Sequence, residues 1–196
     1  MKIYNLAEDS KIYTSNVYLI TGTWNALKDV NTLIDAGRDP LIIDKIDFIS
    51  TGVGKHKIDQ VIFTHSHYDH TSNLPKICKE YNPKVYAFSK FSDNVSELLK
   101  DNQKIIIGDK SFEVIHSPGH SNDSVCLYCE EEGVLFAGDT PVILTSNDST
   151  YEQGFVEAIK RLSRKGIKKI FFGHGPPLQT NCSEMIKNSL IILNRY

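Results

Sequence analysis

Short apolar runs broken by turn residues fill the first third of the chain. Residues 16–20 (NVYLI) and 30–35 (VNTLID) are rich in β-branched and aromatic side chains, and both read as strands closed by Gly22 and by Ala36-Gly37. From Pro40 the period lengthens: Leu41, Ile42, Ile46 and Ile49 recur at helical spacing until Gly52 and Gly54 stop them. Residues 58–64 follow as a buried strand, 70–81 as a helix, 84–88 as a strand and 92–100 as a further helix opened by Ser92 or Asp93. Strand signals then crowd together at 104–107, 112–116, 124–129 and 134–137, separated by turns rich in Gly, Asp or Glu. Phe155, Val156, Ile159 and Leu162 give 151–165 a helical period that Gly166 ends, 169–172 is the last strand, and 184–193 is a closing helix. Strands and helix followed by strands and helix again, with no linker between, predict a single domain over 1–196. Its class is α/β (α+β), with two sheets packed face to face and helices outside.

Composition narrows the partners more than the fold. A chain of 196 residues that is 40% hydrophobic and 23% charged can bury one sizeable core. A net charge of −2 supplies no basic footprint for nucleic acid, so a small-molecule substrate is expected. Acidic residues at Glu8 and Asp9 arrive before a signal-peptide core could form, and no segment has the apolar length of a membrane span, so the cytoplasm is the expected compartment. Cys78, Cys126, Cys129 and Cys182 are too few for a disulfide scaffold and are expected as reduced thiols. Cys126 and Cys129 have C-x-x-C spacing, but inside a strand residues three apart point to opposite faces, which favours buried core thiols.

The candidate chemistry sits in His65-Ser66-His67-Tyr68-Asp69-His70, where a predicted strand gives way to a loop. Imidazole and carboxylate are the side chains that bind a borderline divalent ion in neutral water, and this run forces four of them onto one short segment. Three more residues stand at predicted strand ends behind a glycine: His120 in Ser117-Pro-Gly-His120, Asp139 in Phe136-Ala-Gly-Asp139, and His174 in Phe172-Gly-His174. Glycine lets the backbone turn sharply there and bring the next side chain inward. His56 and His116 fall outside this pattern and read as structural or surface residues, with His116 a secondary candidate for contact with a ligand.

In these residues, together with Asn16-x-Tyr-Leu-Ile20 and Leu33-Ile-Asp35-Ala-Gly37, the chain resembles the metallo-β-lactamase fold superfamily. Within it, the resemblance is to the glyoxalase II-like hydrolases more than to true lactamases, and it spans nearly the whole chain. It implies a four-layer αββα sandwich with a metal site at one edge of the two sheets. It also implies that His65, His67 and His120 hold one metal, that Asp69, His70 and His174 hold the other, and that Asp139 bridges them. Seven candidate ligands exceed what one tetrahedral zinc can use but suit two ions sharing a carboxylate and a hydroxide. A carboxylate between two cations offsets their mutual repulsion, a role a lone zinc would not require. Two divalent ions are therefore expected, zinc first, with iron or manganese as alternatives.

The resemblance also has departures. Asn122 and Asp123 replace the family's usual residues after His120, while Ser124 matches; Asp123 reads either as a partner that orients His120 or as a polar turn residue. The chain ends 22 residues after His174, whereas glyoxalase II carries a helical C-terminal domain that grips glutathione. Val142 stands where quorum-signal lactonases carry a tyrosine, which counts against a lactonase. The expected function is a metal-dependent hydrolase, similar to hydroxyacylglutathione hydrolase, that cleaves an ester, thioester or similar activated carbonyl with a metal-bridged hydroxide. Asp69 would orient that hydroxide. The main alternative is an oxidoreductase resembling the persulfide dioxygenases, with one iron on His65, His120 and Asp139; a non-catalytic metal-binding domain is a third reading. Trp24, Tyr68, the 144–151 loop and Pro176-Pro177 are candidates for shaping the pocket.

Overall fold

Strand alternation sorts the apolar side chains into three buried layers, and those layers define the architecture. The computed structural model describes residues 1–146 and 151–194. In it β1 (Lys2–Asn5), β2 (Tyr18–Thr21), β3 (Thr32–Ile34), β4 (Gln60–Ile62), β5 (Lys84–Ala87) and β6 (Glu97–Leu98) form one sheet in that order. A second sheet contains β7 (Lys104–Ile107), β8 (Lys110–His116), β9 (Val125–Cys129), β10 (Val134–Gly138) and β11 (Lys169–Phe172), ordered β11-β10-β9-β8-β7. Both sheets are mixed: β1 to β3 pair antiparallel and β3 to β6 parallel, while β10 and β11 form a parallel pair beside antiparallel neighbours. The helices are α1 (Leu41–Phe48), α2 (Tyr68–Thr71), α3 (Leu74–Tyr81), α4 (Gln153–Leu162) and α5 (Cys182–Leu193).

The two-residue period assigns each side chain to its layer. Leu19, Leu33 and Val61 point out of the first sheet onto Ile42 and Ile46 of α1 and Leu74 and Ile77 of α3. Their strand neighbours Tyr18, Ile20, Ile34 and Ile62 point the other way and meet Phe112, Val114, Leu127 and Phe136 of the second sheet. Cys126, Tyr128, Leu135 and Ala137 leave the far face of that sheet and pack on Phe155 and Ile159 of α4 and Ile186 of α5. Helix, sheet, sheet and helix thus follow one another as an αββα sandwich. Cys126 and Cys129 lie in different layers as free thiols, in keeping with their expected role as core residues.

Four elements differ from the sequence expectation. Residues 92–100 are not a helix: Ser96 N and Leu99 N donate to Val85 O and Ala87 O, which adds β6 to the edge of the first sheet. Val95 and Leu99, whose spacing suggests one helical face, are drawn into two different cores, so tertiary packing overrides local period. The helix expected over 70–81 is two helices, α2 and α3, because Pro75 lies at the start of α3 and cannot donate back across the junction. At that junction the Asn73 amide instead donates to Ala36 O and Asp39 O. β1 was not foreseen; it is an edge strand held by its register with β2.

Strands β3, β4, β8, β10 and β11 all end toward the same edge of the sandwich, which brings the segments that follow them together. No helix among the described residues is long and apolar enough to cross a membrane.

Candidate metal centre

Each expected ligand sits just beyond one of those strand ends. His65 and His67 follow β4, Asp69 and His70 ride the single turn of α2, His120 follows β8, Asp139 follows β10 directly, and His174 lies two residues past β11. All seven converge. His65, His67 and His120 form one group, Asp69, His70 and His174 another, and within each group the potential ligand atoms lie within 4.8 Å of one another. Asp139 stands between the groups, with Oδ2 3.4 Å from His120 Nε2 and 3.5 Å from His174 Nε2, and Oδ1 3.4 Å from His70 Nε2. Two glycines make room for this carboxylate. Gly138 adopts φ +54° at the end of β10, where a Cβ would stand 2.6 Å from Thr64 Cβ. A Cβ on Gly173 would overlap an Asp139 carboxylate oxygen and stand 2.8 Å from His70 Cε1.

The donor atoms themselves show what the cluster fits. His65 Nε2, Asp69 Oδ2, His70 Nε2, Asp139 Oδ1 and His174 Nε2 are buried with no hydrogen-bond partner among the described residues. An unpaired buried polar atom costs roughly 1–3 kcal/mol, so several aimed at one space need a shared partner. His174 Nε2 lies 3.0 Å from Asp69 Oδ2, and His120 Nε2 lies 2.9 Å from His67 Nδ1. Donors about 2.0–2.1 Å from one cation at tetrahedral angles stand roughly 3.3 Å apart, and these two separations fall a few tenths of an ångström short of that spacing. The clusters are consistent with a dinuclear metal-binding site, and their imidazole and carboxylate chemistry fits zinc, iron or manganese.

Asp35, which the sequence reading did not single out for a role, organises the floor. Its carboxylate is buried and accepts from Thr64 N, Thr64 Oγ1 and His70 Nδ1, each at 2.8 Å. Asp35 adopts φ +59°, a left-handed conformation that turns the chain immediately after β3. With Nδ1–H donated to Asp35, His70 presents Nε2 to the cluster. The Thr64 hydroxyl has one hydrogen, which Asp35 takes, so its oxygen accepts from His65 Nδ1–H at 3.2 Å and bares His65 Nε2 in turn. A lone acid at the end of an apolar strand, followed by Ala36-Gly37, was the available signal.

Charge is distributed unevenly. Burial alone would depress His70, but the Asp35 and Asp139 carboxylates outweigh it and raise its pKa to about 10. Burial, helped by the His70 charge, lowers His65 to about 4. Asp139, which burial would raise, is instead held at about 2, chiefly by His70, with His174 and His65 contributing. His120 is lowered by burial. Without a metal, the neighbouring carboxylates thus favour the protonated form of His70, whose Nε2 a bound ion would take over.

His65 and His70 are nearly inaccessible, whereas the His120 and His174 side chains are 32% and 35% exposed, so the cluster opens on one side. A cleft of about 300 Å³ begins there, walled by Val142, Ile143 and Phe172 beside His120, Asp139 and His174. Trp24, expected near the pocket, lines a separate cavity with Asp29, Ile106 and Asp109, because the β2–β3 connection lies at the opposite ends of these strands. Tyr68 is exposed, with the Arg38 guanidinium over its ring at 5.1 Å. In the 144–151 loop, Leu144 packs into the α4–α5 core and residues 147–150 lie outside the described residues. Asp123 bonds Ser89 and Ser121, as a polar turn residue does, and His116 stacks on Phe88 and bonds Asn122 O. His56 is exposed. Tyr13, also missed, stacks on His174 with centroids 5.3 Å apart.

Residues 12–174 match the model of the metallo-beta-lactamase superfamily, and the chain belongs to that superfamily. It is related to the glyoxalase II-like hydrolases within it. It is 34% identical over 124 residues to a hydroxyacylglutathione hydrolase of Francisella tularensis subsp. novicida (strain U112), covering 59% of this chain and 48% of that protein. An atrochrysone carboxyl ACP thioesterase of Cryptosporiopsis sp. (strain 8999) is 26% identical over 160 residues, 76% of this chain and 50% of that protein. The chain spans about half the length of these curated relatives. Among solved structures, the peroxy diiron species of the chemotaxis sensor ODP shares the fold with a TM-score of 0.69 at 20% identity, covering 96% of this chain and 90% of that one. Family and donor clusters together describe a metal-binding enzyme of this fold with a potential dinuclear centre.

Proposed function

We propose that this protein hydrolyses an ester, thioester or similar activated carbonyl at a two-metal centre. The position of Asp139 between two complete donor groups carries the reading, since a single ion would leave Asp69, His70 and His174 without a purpose. His65, His67 and His120 would hold one ion and Asp69, His70 and His174 the other, with Asp139 placed to serve both. Zinc in these positions would lower the pKa of a coordinated water toward neutrality and act as a Lewis acid on the substrate carbonyl. Asp69, beside His70 and His174, would orient the attacking water, and Asp35 keeps His70 in the tautomer that leaves Nε2 free. Val142, Ile143 and Phe172 give the acyl or leaving group an apolar wall. The similarity to a hydroxyacylglutathione hydrolase and to an acyl-carrier thioesterase supports thioesters as the leading substrate class.

The test is elemental analysis of the purified protein followed by a panel of acyl thioesters and aryl esters, a hydroxyacyl glutathione among them. Two zinc per chain with chelator-sensitive hydrolysis is the expected result. A second reading, iron-based oxidation at the same residues, draws support from the fold shared with a di-iron sensor. One iron per chain and oxygen uptake with persulfides, without hydrolysis, would replace the hydrolase with the dioxygenase-like reading.

A further inference from the structure

We propose, on the basis of the hydrolase reading above, that Tyr13 is a catalytic residue whose phenol donates a hydrogen bond to the substrate oxygen on which charge develops. Tyr13 belongs to the connection between β1 and β2 and is 67% exposed. Its ring nonetheless has a defined seat, stacked on the His174 imidazole at 5.3 Å with 15° between the planes. The phenol faces the cluster: its pKa is raised chiefly by the Asp69 charge, then by burial and by a hydrogen bond to the Asp69 carboxylate that a substrate oxygen would have to replace, with Asp139 also felt.

The segment that carries this ring is pinned from both sides. Ser15 N donates to Asp69 O at 3.2 Å, which ties it to the α2 ligands. Asn16 N donates to Gly173 O at 2.6 Å, and the Asn16 amide spans Phe172 O at 2.9 Å and Gly175 O at 2.8 Å, which ties it to the His174 turn. Thr14 Oγ1 accepts from Arg38 N at 2.7 Å. A donor held this way needs little reorganisation when charge appears. The wall of the cleft offers few alternatives: Val142, Ile143 and Phe172 have no side-chain donor, and the Thr140 hydroxyl is engaged with Ser117 Oγ at 2.9 Å. In the step itself water adds to the acyl carbon and the bond from that carbon to the leaving oxygen or sulfur breaks. The leaving atom gains a proton from that water, and Tyr13 keeps its own proton throughout.

Tyr13→Phe preserves the ring and its stacking while removing the donor. With zinc-loaded protein and an acyl thioester that the wild type cleaves, kcat should fall roughly 100-fold or more, with KM nearly unchanged and zinc per chain unchanged. Adding zinc to metal-free wild type should also perturb a tyrosine absorption band, and that perturbation should vanish in Tyr13→Phe. Wild-type kcat in the variant, or a change confined to KM, would overturn the donor role while leaving the hydrolase reading standing. A zinc-induced tyrosine signal that persists in Tyr13→Phe would overturn the placement of the ring. An inactive wild type across the whole panel would overturn both readings together.

Discussion

Replacing Asp35 by asparagine tests whether a buried hydrogen bond outside the ligand set controls metal binding. Asparagine is nearly isosteric and tolerates the φ of +59° found here, so the turn after β3 should survive. Its oxygen can still accept from Thr64 N, as Asp35 Oδ1 does at 2.8 Å. The other terminal atom becomes an NH₂ that faces Thr64 Oγ1 and His70 Nδ1, which both lie 2.8 Å from Asp35 Oδ2. Nδ1 must then accept instead of donate, and in the neutral ring the proton moves to Nε2, the atom the cluster needs bare. The lost charge-assisted bond is worth roughly 1.5–3 kcal/mol. At about 1.4 kcal/mol per tenfold, this corresponds to a 10- to 100-fold loss of affinity, the range seen when such outer partners of metal-bound histidines are removed. Chelator competition with folded Asp35→Asn should show the ion on the Asp69, His70 and His174 side weakened by that factor. The ion on the His65, His67 and His120 side should change much less, although Thr64 links it to the same carboxylate. A folded variant that binds both ions with wild-type affinity would refute the tautomer argument.

Asp139→Ala and His120→Ala should each abolish hydrolysis of any substrate the wild type cleaves, and near-normal turnover in either would be incompatible with the two-ion assignment. Gly173→Ala should lose bound metal while remaining folded, because the new methyl displaces the Asp139 carboxylate; retention of two ions per chain would contradict the packing described. Because the pKa of His70 is raised to about 10 in the metal-free protein, it carries a proton at pH 7 to 8 that metal must displace, whereas His65, lowered to about 4, has none to give. Metal affinity should therefore rise with pH up to about 10, with at least one proton released per chain, measurable by calorimetry in buffers of different ionisation enthalpy; zero release would refute it. Phe136→Ala, between the two sheets, should cost about 3–5 kcal/mol in urea unfolding. A loss below about 1 kcal/mol would mean that this layer repacks freely.

The candidate donor cluster was readable from the chain because metal chemistry restricts it to few residue types and strand-end turns restrict where they stand. His65-Ser66-His67-Tyr68-Asp69-His70 and the three glycine-led ligands need no tertiary information to be noticed. The layered architecture was accessible for a similar reason, since the period of apolar residues reports which face is buried. Period failed at 92–100, where Val95 and Leu99 mimic a helix but serve two cores, and the vacant edge of β5 decided the outcome. It also could not show that Trp24 lies away from the cluster, because loop position depends on strand direction and not on local composition. Asp35 and Tyr13 lie 35 and 161 residues before the histidines they touch, His70 and His174, so their roles arise only when separate strand ends meet at one edge. Residue chemistry alone pointed to a divalent-metal cluster; the fold decided which nitrogen of His65 and His70 faces the site and which side chains surround it.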